Sequence, residues 1–119
     1  MPEPEESQGT TTIAPDVLLT IAQLTTLNVD GVSRLSHVQV PVSRLLKRTQ
    51  KREGVMIEIE DDLVYVDIYV ILKDEVNVRD VSHNIQHEVA RAISDMVGMS
   101  VGRVNIHIED IDYPLEAEA

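Results

Sequence analysis

The sequence contains no cysteine, tryptophan or phenylalanine, and three tyrosines are its only aromatic residues. Because cysteine is absent, disulfide frameworks, thiolate zinc sites and cysteine nucleophiles are all excluded, and the chain suits a reducing cytoplasm. The scarcity of aromatic rings leaves few platforms on which single-stranded bases could stack.

Long apolar runs and positive charge are also scarce. No apolar run reaches the roughly 18 residues that a membrane-spanning helix needs, and the first residues, MPEPEES, are acidic. We therefore expect neither an export signal nor a membrane anchor within the chain itself. With 10 basic and 21 acidic residues the net charge is −11, which disfavours the phosphate backbone of nucleic acid as a partner.

The strongest structural signal is the run LVYVDIYVIL, residues 63–72, which alternates two unlike faces with the period of a β-strand. One face is wholly aliphatic and must be covered; it consists of Val64, Val66, Ile68, Val70 and Leu72. The other face carries an acid and two phenols and is therefore either wet or an interface; it consists of Leu63, Tyr65, Asp67, Tyr69 and Ile71.

Two helical patterns flank this strand. The first begins at Pro15, has Asp16 in its first turn and ends near residues 28–31. Its predicted apolar stripe is Val17, Leu18, Ile21 and Leu24. Leu19 and Leu27 lie off this stripe, and they either belong to the edge of the core or face a partner.

The second helix has clearer ends. Asn77 is suited to its N-cap and Gly98 to a left-handed C-terminal stop. The predicted apolar stripe is Val78, Val81, Ile85, Val89, Ala92 and Met96.

Three further strands are predicted: a weakly signalled one at 31–35, one at 55–60 that an Asp61-Asp62 turn joins to the long strand, and a last one at 103–109. A right-handed crossover should place the last strand parallel to the long strand. We therefore predict an α/β domain of the α+β kind, a two-layer sandwich of a mixed sheet with two helices on one face, in the order α-β-β-β-α-β. The domain spans 13–112, between a disordered acidic tail at 1–12 and an acidic tail at 113–119.

Half of the basic residues fall within nine positions: Arg44, Lys47, Arg48, Lys51 and Arg52. If the segment is helical, their spacing places them on one face, and we predict that they form a partner-binding basic patch. The alternative is that they neutralise acids of the same or a neighbouring subunit. Near an anionic leaflet five such residues contribute at most about 5 kcal/mol, a Kd close to millimolar. Direct membrane binding is therefore expected to be weak or absent.

No catalytic or cofactor-binding pattern is recognisable. The sequence has no Gly-x-Ser-x-Gly elbow and no Walker or dinucleotide-binding glycine motif, so we predict that it is not an enzyme and uses no cofactor. Asp80, His83 and His87 have the spacing of metal ligands, but helical projection turns them away from the apolar stripe and into water. No metal site is predicted.

The order of several short motifs resembles the alkaline shock protein family, the general-stress and envelope-stress proteins of Gram-positive and related bacteria. The resemblance covers residues 13–111. The motifs are Gly31-Val32, Gly54-Val55, Val66-Asp67, Gln86, Met96-Val97-Gly98 and Val104-Asn105-Ile106. Many relatives have a Tyr-Gly-like turn after the long strand, where this chain has Lys-Asp-Glu-Val at 73–76.

The resemblance implies a non-catalytic cytoplasmic protein of cell-envelope homeostasis, which in some members reaches the membrane through a separate anchor protein. We expect an oligomeric scaffold or adaptor; a module that binds an anionic ligand through residues 44–52 is the alternative. The predicted oligomer interface is the open sheet face, with Met56, Leu63, Tyr65, Tyr69 and Ile71. Asp67 at its centre opposes burial unless it is paired, and Arg103 on the last strand is a candidate partner if the two strands are neighbours.

Overall fold

The computed structural model describes residues 9–10, 12–37 and 49–113. In these ranges two helices and five strands follow one another in the order α-β-β-β-β-α-β, which confirms the predicted α+β fold and adds one strand to it. The elements are α1 (Pro15–Leu27), β1 (Val32–Leu35), β2 (Thr49–Arg52), β3 (Val55–Glu60), β4 (Leu63–Lys73), α2 (Val78–Val97) and β5 (Ser100–Asp112). Most of the predicted tails, residues 1–8, 11 and 114–119, lies outside the described residues.

Strand β4 is the centre of the sheet. On one edge it pairs with β5 in parallel, from Leu63 opposite Ser100 to Lys73 opposite Asp112, which confirms the predicted parallel pairing. The other edge is shared by β3 and β1, which pair antiparallel with the first part and the end of β4. β2 lies outside β3.

The two strands that share this edge meet at Gly54, which has a left-handed φ of 79°. A Cβ atom at this position would lie 2.5 Å from Cβ of Leu35 at the end of β1. The Gly54 carbonyl accepts a hydrogen bond from the Tyr69 N–H at 2.8 Å. Because glycine has neither a Cβ nor a penalty for positive φ, it lets β1 and β3 follow each other along β4.

The core lies between the sheet and the two helices. All five residues of the predicted aliphatic face of β4 are 0% exposed, as the alternation predicted. Full burial of each such side chain contributes about 1.5–3 kcal/mol. The face of β4 that the helices cover is called the inner face below, and the opposite one is called the outer face.

Helix α1 starts at Pro15 as predicted, but its buried face is rotated relative to the predicted stripe. Leu18, Leu19 and Ile21 are buried, whereas Val17 is 44% and Leu24 is 58% exposed. The prediction of Val17 and Leu24 as core residues is therefore wrong. The helix carries apolar side chains on most sides, so spacing alone does not select which side meets the sheet.

Helix α2 has the predicted caps. The side chain of Asn77 accepts a hydrogen bond from the Asp80 N–H at 3.0 Å, and Gly98 has a φ of 81°. The middle of the predicted stripe is buried, but Val78 and Met96 at its ends are exposed, Met96 by 71%.

Strand β2 is the element absent from the prediction. The helical geometry predicted for the basic segment is wrong at residues 49–52, where Arg52 pairs with Val55 and Lys51 with Met56 across an antiparallel ladder. Lys51 and Arg52 therefore project from opposite faces of the sheet. The other predicted patch residues, Arg44, Lys47 and Arg48, lie outside the described residues.

Candidate functional site

The outer face of the sheet is the candidate site, because both described helices pack on the inner face. The register of the strands places Lys51, Met56 and Asp67 side by side on this outer face. The predicted interface residues Met56, Leu63, Tyr65 and Tyr69 are half-buried. Ile71 is only 7% exposed and adds little open surface.

Each tyrosine of the outer face contacts its neighbour on β5. The guanidinium carbon of Arg103 lies 5.5 Å from the ring centroid of Tyr65, a cation–π distance. The ring of Tyr69 stacks on the imidazole of His107, with centroids 4.3 Å apart and planes inclined by 10°. Strand β5 thus holds both phenols in defined positions.

Gly102 gives the ring of Tyr65 its place beside β5. A Cβ on Gly102 would lie 2.6 Å from the ring carbon Cε1 of Tyr65, closer than two carbon atoms approach. The pairing of β4 with β5 also shifts here, between Val64 and Tyr65. The missing side chain and the irregular register together let an aromatic ring lie close to the strand.

Asp67 is paired, but not with the expected residue. Its Oδ1 accepts a hydrogen bond from Nδ2 of Asn105 at 3.1 Å and lies 2.9 Å from Nε2 of His107. The Asp67 side chain is 25% exposed. The prediction that Arg103 pairs with Asp67 is wrong, because Arg103 lies opposite Tyr65 in the register, and Asn105 is the residue opposite Asp67.

His107 is the residue of this site that the sequence reasoning missed. Its signal was present in the alternation of β5, which places residues 103, 105 and 107 on one face. Combined with a parallel pairing to β4, that alternation brings each of them to Tyr65, Asp67 or Tyr69. The predicted strand direction indicated the face on which His107 lies, but only the observed register places it against Tyr69.

The depression at the centre of this face is small and polar. It has a volume of about 260 Å³ and is lined by Glu58, Glu60, Tyr65, Asp67, Arg103 and Asn105. Pockets for small molecules are larger and mainly apolar. The arrangement is better suited to contact with another protein surface, whose polar groups could meet these hydrogen-bonding side chains.

A family model described as having a cell envelope-related function, that of the alkaline shock protein 23 family, matches residues 3–113. The chain belongs to the alkaline shock protein family. The family resemblance drawn from the short motifs is thereby confirmed.

Relatives of this family member are found in Gram-positive bacteria. The chain is 38% identical to the uncharacterized protein Spy1535 of Streptococcus pyogenes over 104 residues. The matched segment covers 87% of this chain and 79% of the relative. It is 26% identical to the uncharacterized protein YqhY of Bacillus subtilis over 111 residues. That match covers 92% of this chain and 82% of the relative. No solved structure matches the chain.

Two of the motifs that carry the family resemblance have structural roles. Gly54, between β2 and β3, lets the end of β1 lie close to β3, as described above, and Gln86 on α2 donates a hydrogen bond from Nε2 to the carbonyl oxygen of Val104 at 3.0 Å. The second contact fixes α2 to β5. These family motifs therefore explain the fold more directly than they explain a reaction.

The basic residues that the structure describes do not form one patch in this family member. Arg52 donates from Nη1 to Oγ1 of Thr20 at 2.6 Å, and its Nη2 lies 2.8 Å from Oδ1 of Asp16 in the first turn of α1. This is the internal neutralisation that was the alternative to partner docking. Lys51 is exposed on the outer face.

Asp80, His83 and His87 are exposed on α2, on the side predicted by helical projection. In the described ranges, no three or more histidine, aspartate or glutamate side chains come close enough to hold a metal ion. The described helices also include none whose length and apolar character would allow it to cross a membrane.

Proposed function

We propose that this protein is a non-catalytic cytoplasmic scaffold or adaptor of the cell envelope that acts as a homo-oligomer. A membrane-anchored protein would bring it to the membrane, and it would bind lipid weakly or not at all by itself. The observation that carries the proposal is the outer face of the sheet, which has half-buried tyrosines and no covering helix among the described residues.

The chemistry of the outer face suits contact with protein. Tyrosine offers a large contact area at a low cost in conformational entropy, and its hydroxyl group tolerates a wet rim. Asp67 would oppose burial as an isolated charge, but Asn105 and His107 already supply it with hydrogen-bonding partners. An interface that covers this face would therefore not leave an unpaired carboxylate.

The family and the composition support the proposed place of action. The family is described as cell envelope-related, and a chain without cysteine suits a reducing compartment. With a net charge of −11 the protein is repelled by anionic lipid. Binding to a partner protein therefore explains an association with the membrane better than direct lipid binding does.

Light scattering coupled to gel filtration tests the oligomer. We expect the wild-type protein to elute with a mass that is a multiple of 13.3 kDa. The double variant Tyr65→Glu with Tyr69→Glu should elute as a smaller species, because it places four new charges at a two-fold contact between sheets.

The matched control is His83→Glu with His87→Glu, which adds the same two acids to the exposed side of α2. It should leave the mass unchanged. A monomeric wild type at high micromolar concentration, or an oligomer that survives the tyrosine double variant, would rule out this interface. Circular dichroism of each variant checks that the fold is retained.

A module for an anionic ligand is the second candidate, supported by the concentration of basic residues at 44–52. The contacts of Arg52 with Asp16 and Thr20 reduce its availability for such a ligand. Purified protein that retains absorbance at 260 nm, or that changes its spectrum on titration with a polyanion, would favour this candidate over the scaffold.

A further inference from the structure

Strand β5 has a free edge. It is 13 residues long and pairs with β4 along one side, and no strand of the described part of the chain pairs with its other side. Edge strands in globular proteins are usually short or interrupted because unpaired N–H and C=O groups invite pairing with another chain. A long free edge is therefore a candidate surface for pairing with a strand of another chain.

The usual protection of edge strands is only partly present here, since β5 carries exposed charged side chains and two irregularities in its pairing with β4, at Gly102 and at Glu109. β5 contains no proline, and a groove of about 360 Å³ separates α2 from its first half. The groove is lined by Gln86, Ala90, Val101, Gly102, Arg103 and Val104. Gln86 donates to one main-chain oxygen of β5, that of Val104, and a carbonyl oxygen accepts two hydrogen bonds. The helix thus leaves room for the side chains of an incoming strand.

We propose that the free edge of β5 pairs antiparallel with β5 of a second copy, around a two-fold axis at Ile106, and so joins two five-stranded sheets into one. This contact uses the edge of the sheet, whereas the oligomer proposed above uses its outer face. The inference rests on the proposed function only in that copies of the chain associate.

The alternation of β5 requires the axis to lie at a residue rather than between two residues. Centring on Ile106 places Val104 opposite Ile108 of the second copy and Ile106 opposite itself, so that side chains of the inner face meet only side chains of the inner face. A shift by one residue of the partner would place polar side chains opposite apolar ones. Val104 is buried, and Ile106 and Ile108 are partly exposed at the core margin, so pairing would complete their burial.

Charge complementarity supports the same axis. Arg103 lies opposite Glu109 of the second copy, and the pair occurs twice by symmetry. Both side chains are exposed, and neither has an ion pair within the described ranges. Within one chain the two residues are six positions apart on a strand, about 20 Å, so an ion pair between them requires two copies.

A charge swap tests this pairing. Arg103→Glu alone and Glu109→Arg alone should each weaken the association about tenfold, because each replaces two attractive pairs with two repulsive ones. The double variant Arg103→Glu with Glu109→Arg should restore the edge contact. Because Arg103 also contacts Tyr65 on the outer face, the edge contact is read in all four proteins as the yield of the disulfide-linked Ile106→Cys dimer described below. A double variant whose yield is as low as that of the single variants overturns the proposal.

Cross-linking provides a second measurement, because the wild-type chain has no cysteine. Residues opposite each other on antiparallel strands have Cα atoms about 4.5–5.5 Å apart, within the range that a disulfide spans. Ile106→Cys should therefore form a disulfide-linked dimer under mild oxidation, and Ser100→Cys, far from the axis, should not. Equal cross-linking of the two variants overturns the proposal.

The tyrosine double variant separates this contact from the proposed outer-face oligomer. If the Ile106→Cys dimer still forms in the Tyr65→Glu, Tyr69→Glu background, the edge contact is independent of the outer face and the inference stands. If wild-type oligomers persist but Ile106→Cys gives no dimer, the edge contact is wrong and the proposed function survives. If Ile106→Cys dimerises while the tyrosine variant leaves the mass of the wild type unchanged, the edge stands and the outer-face interface is wrong.

Discussion

The two faces of β4 differ in how their side chains are satisfied. On the inner face five aliphatic residues are 0% exposed and need only the covering helices. On the outer face the tyrosines and Asp67 are half-buried, and their contacts come from Arg103, Asn105 and His107 on β5. The inner face is stabilised by the hydrophobic effect, which does not depend on the orientation of the side chains. The outer face is stabilised by hydrogen bonds and ring contacts, which form only if β5 has the right register.

This difference separates what stabilises the domain from what another molecule can recognise. Apolar burial contributes most of the free energy of folding, and residues of the same size can replace one another there. A set of directional polar and aromatic contacts contributes less stability but defines a surface pattern. We therefore expect substitutions on the inner face to change stability, and substitutions on the outer face to change association.

The largest effect is expected for Ile68→Asp. Ile68 is 0% exposed at the middle of the inner face, and an unpaired carboxylate there should lower the free energy of unfolding by about 3–5 kcal/mol. Urea denaturation measures it. Leu63→Asp is the matched control on the outer face of the same strand and should lower it by less than about 1.5 kcal/mol. Equal losses for the two variants would mean that the faces do not differ.

A smaller effect is expected for Asp67→Ala. The change removes the acceptor of Asn105 and the partner of His107, both half-buried, and should lower the free energy of unfolding by about 1 kcal/mol. Asp95→Ala is the control, because the ion pair of Asp95 with Arg91 is exposed and worth less than about 0.5 kcal/mol. A loss at Asp67 no greater than that at Asp95 would show that the outer-face contacts add nothing to stability.

The smallest effect on stability is expected for Asp112, whose exposed contacts lie outside both faces of β4. These contacts give a baseline against which the effects on the two faces can be compared. A hydrogen bond of 2.6 Å from the Ser33 hydroxyl, with a weaker contribution from Arg34, lowers the pKa of Asp112 from its ordinary value of 3.8. The ionised form is thus favoured in the folded state, so the stabilisation is present above pH 3.8 and is lost as the pH falls through the lowered pKa.

Thermal melts of wild type and Asp112→Asn measure this baseline. The two proteins should differ slightly near neutral pH and converge in acid below the lowered pKa. Asp30→Asn is the control, since Asp30 is exposed and has no hydrogen bond or ion pair to the described residues. A difference for Asp112→Asn that stays constant or grows in acid would contradict the direction of the shift.

The parts of the fold that the sequence predicted are those with one dominant pattern. Strand β4 has a strict alternation, and α2 has both a capping asparagine and a stop glycine, so their positions were predicted correctly. The buried side of α1 was not predictable, because apolar side chains surround the helix. Strand β2 has the polar sequence TQKR, and only its pairing with β3 makes it a strand.

For the candidate site, the sequence predicted which strands lie side by side, but it did not predict which side chains contact each other. Alternation and the crossover bring β5 beside β4, yet they do not say how far one strand slides along the other. Arg103 was expected at Asp67 because opposite charges attract. The observed register, with its irregularity beside Gly102, places Arg103 opposite Tyr65. Asp67 therefore contacts Asn105 and His107 instead. A difference of two residues in register decided this, and no residue pattern encodes the register by itself.

The parallel pairing of β4 with β5 has a consequence for the nascent chain. Strands β2, β3 and β4 are neighbours in sequence and can pair as soon as they leave the ribosome, but β5 follows only after the 20 residues of α2. Until then the 11 residues of β4 have one unpaired edge beside a row of large aliphatic side chains. Pairings between distant segments form more slowly than local ones. A translational pause between α2 and β5 would therefore prolong the interval in which β4 can pair with the wrong strand.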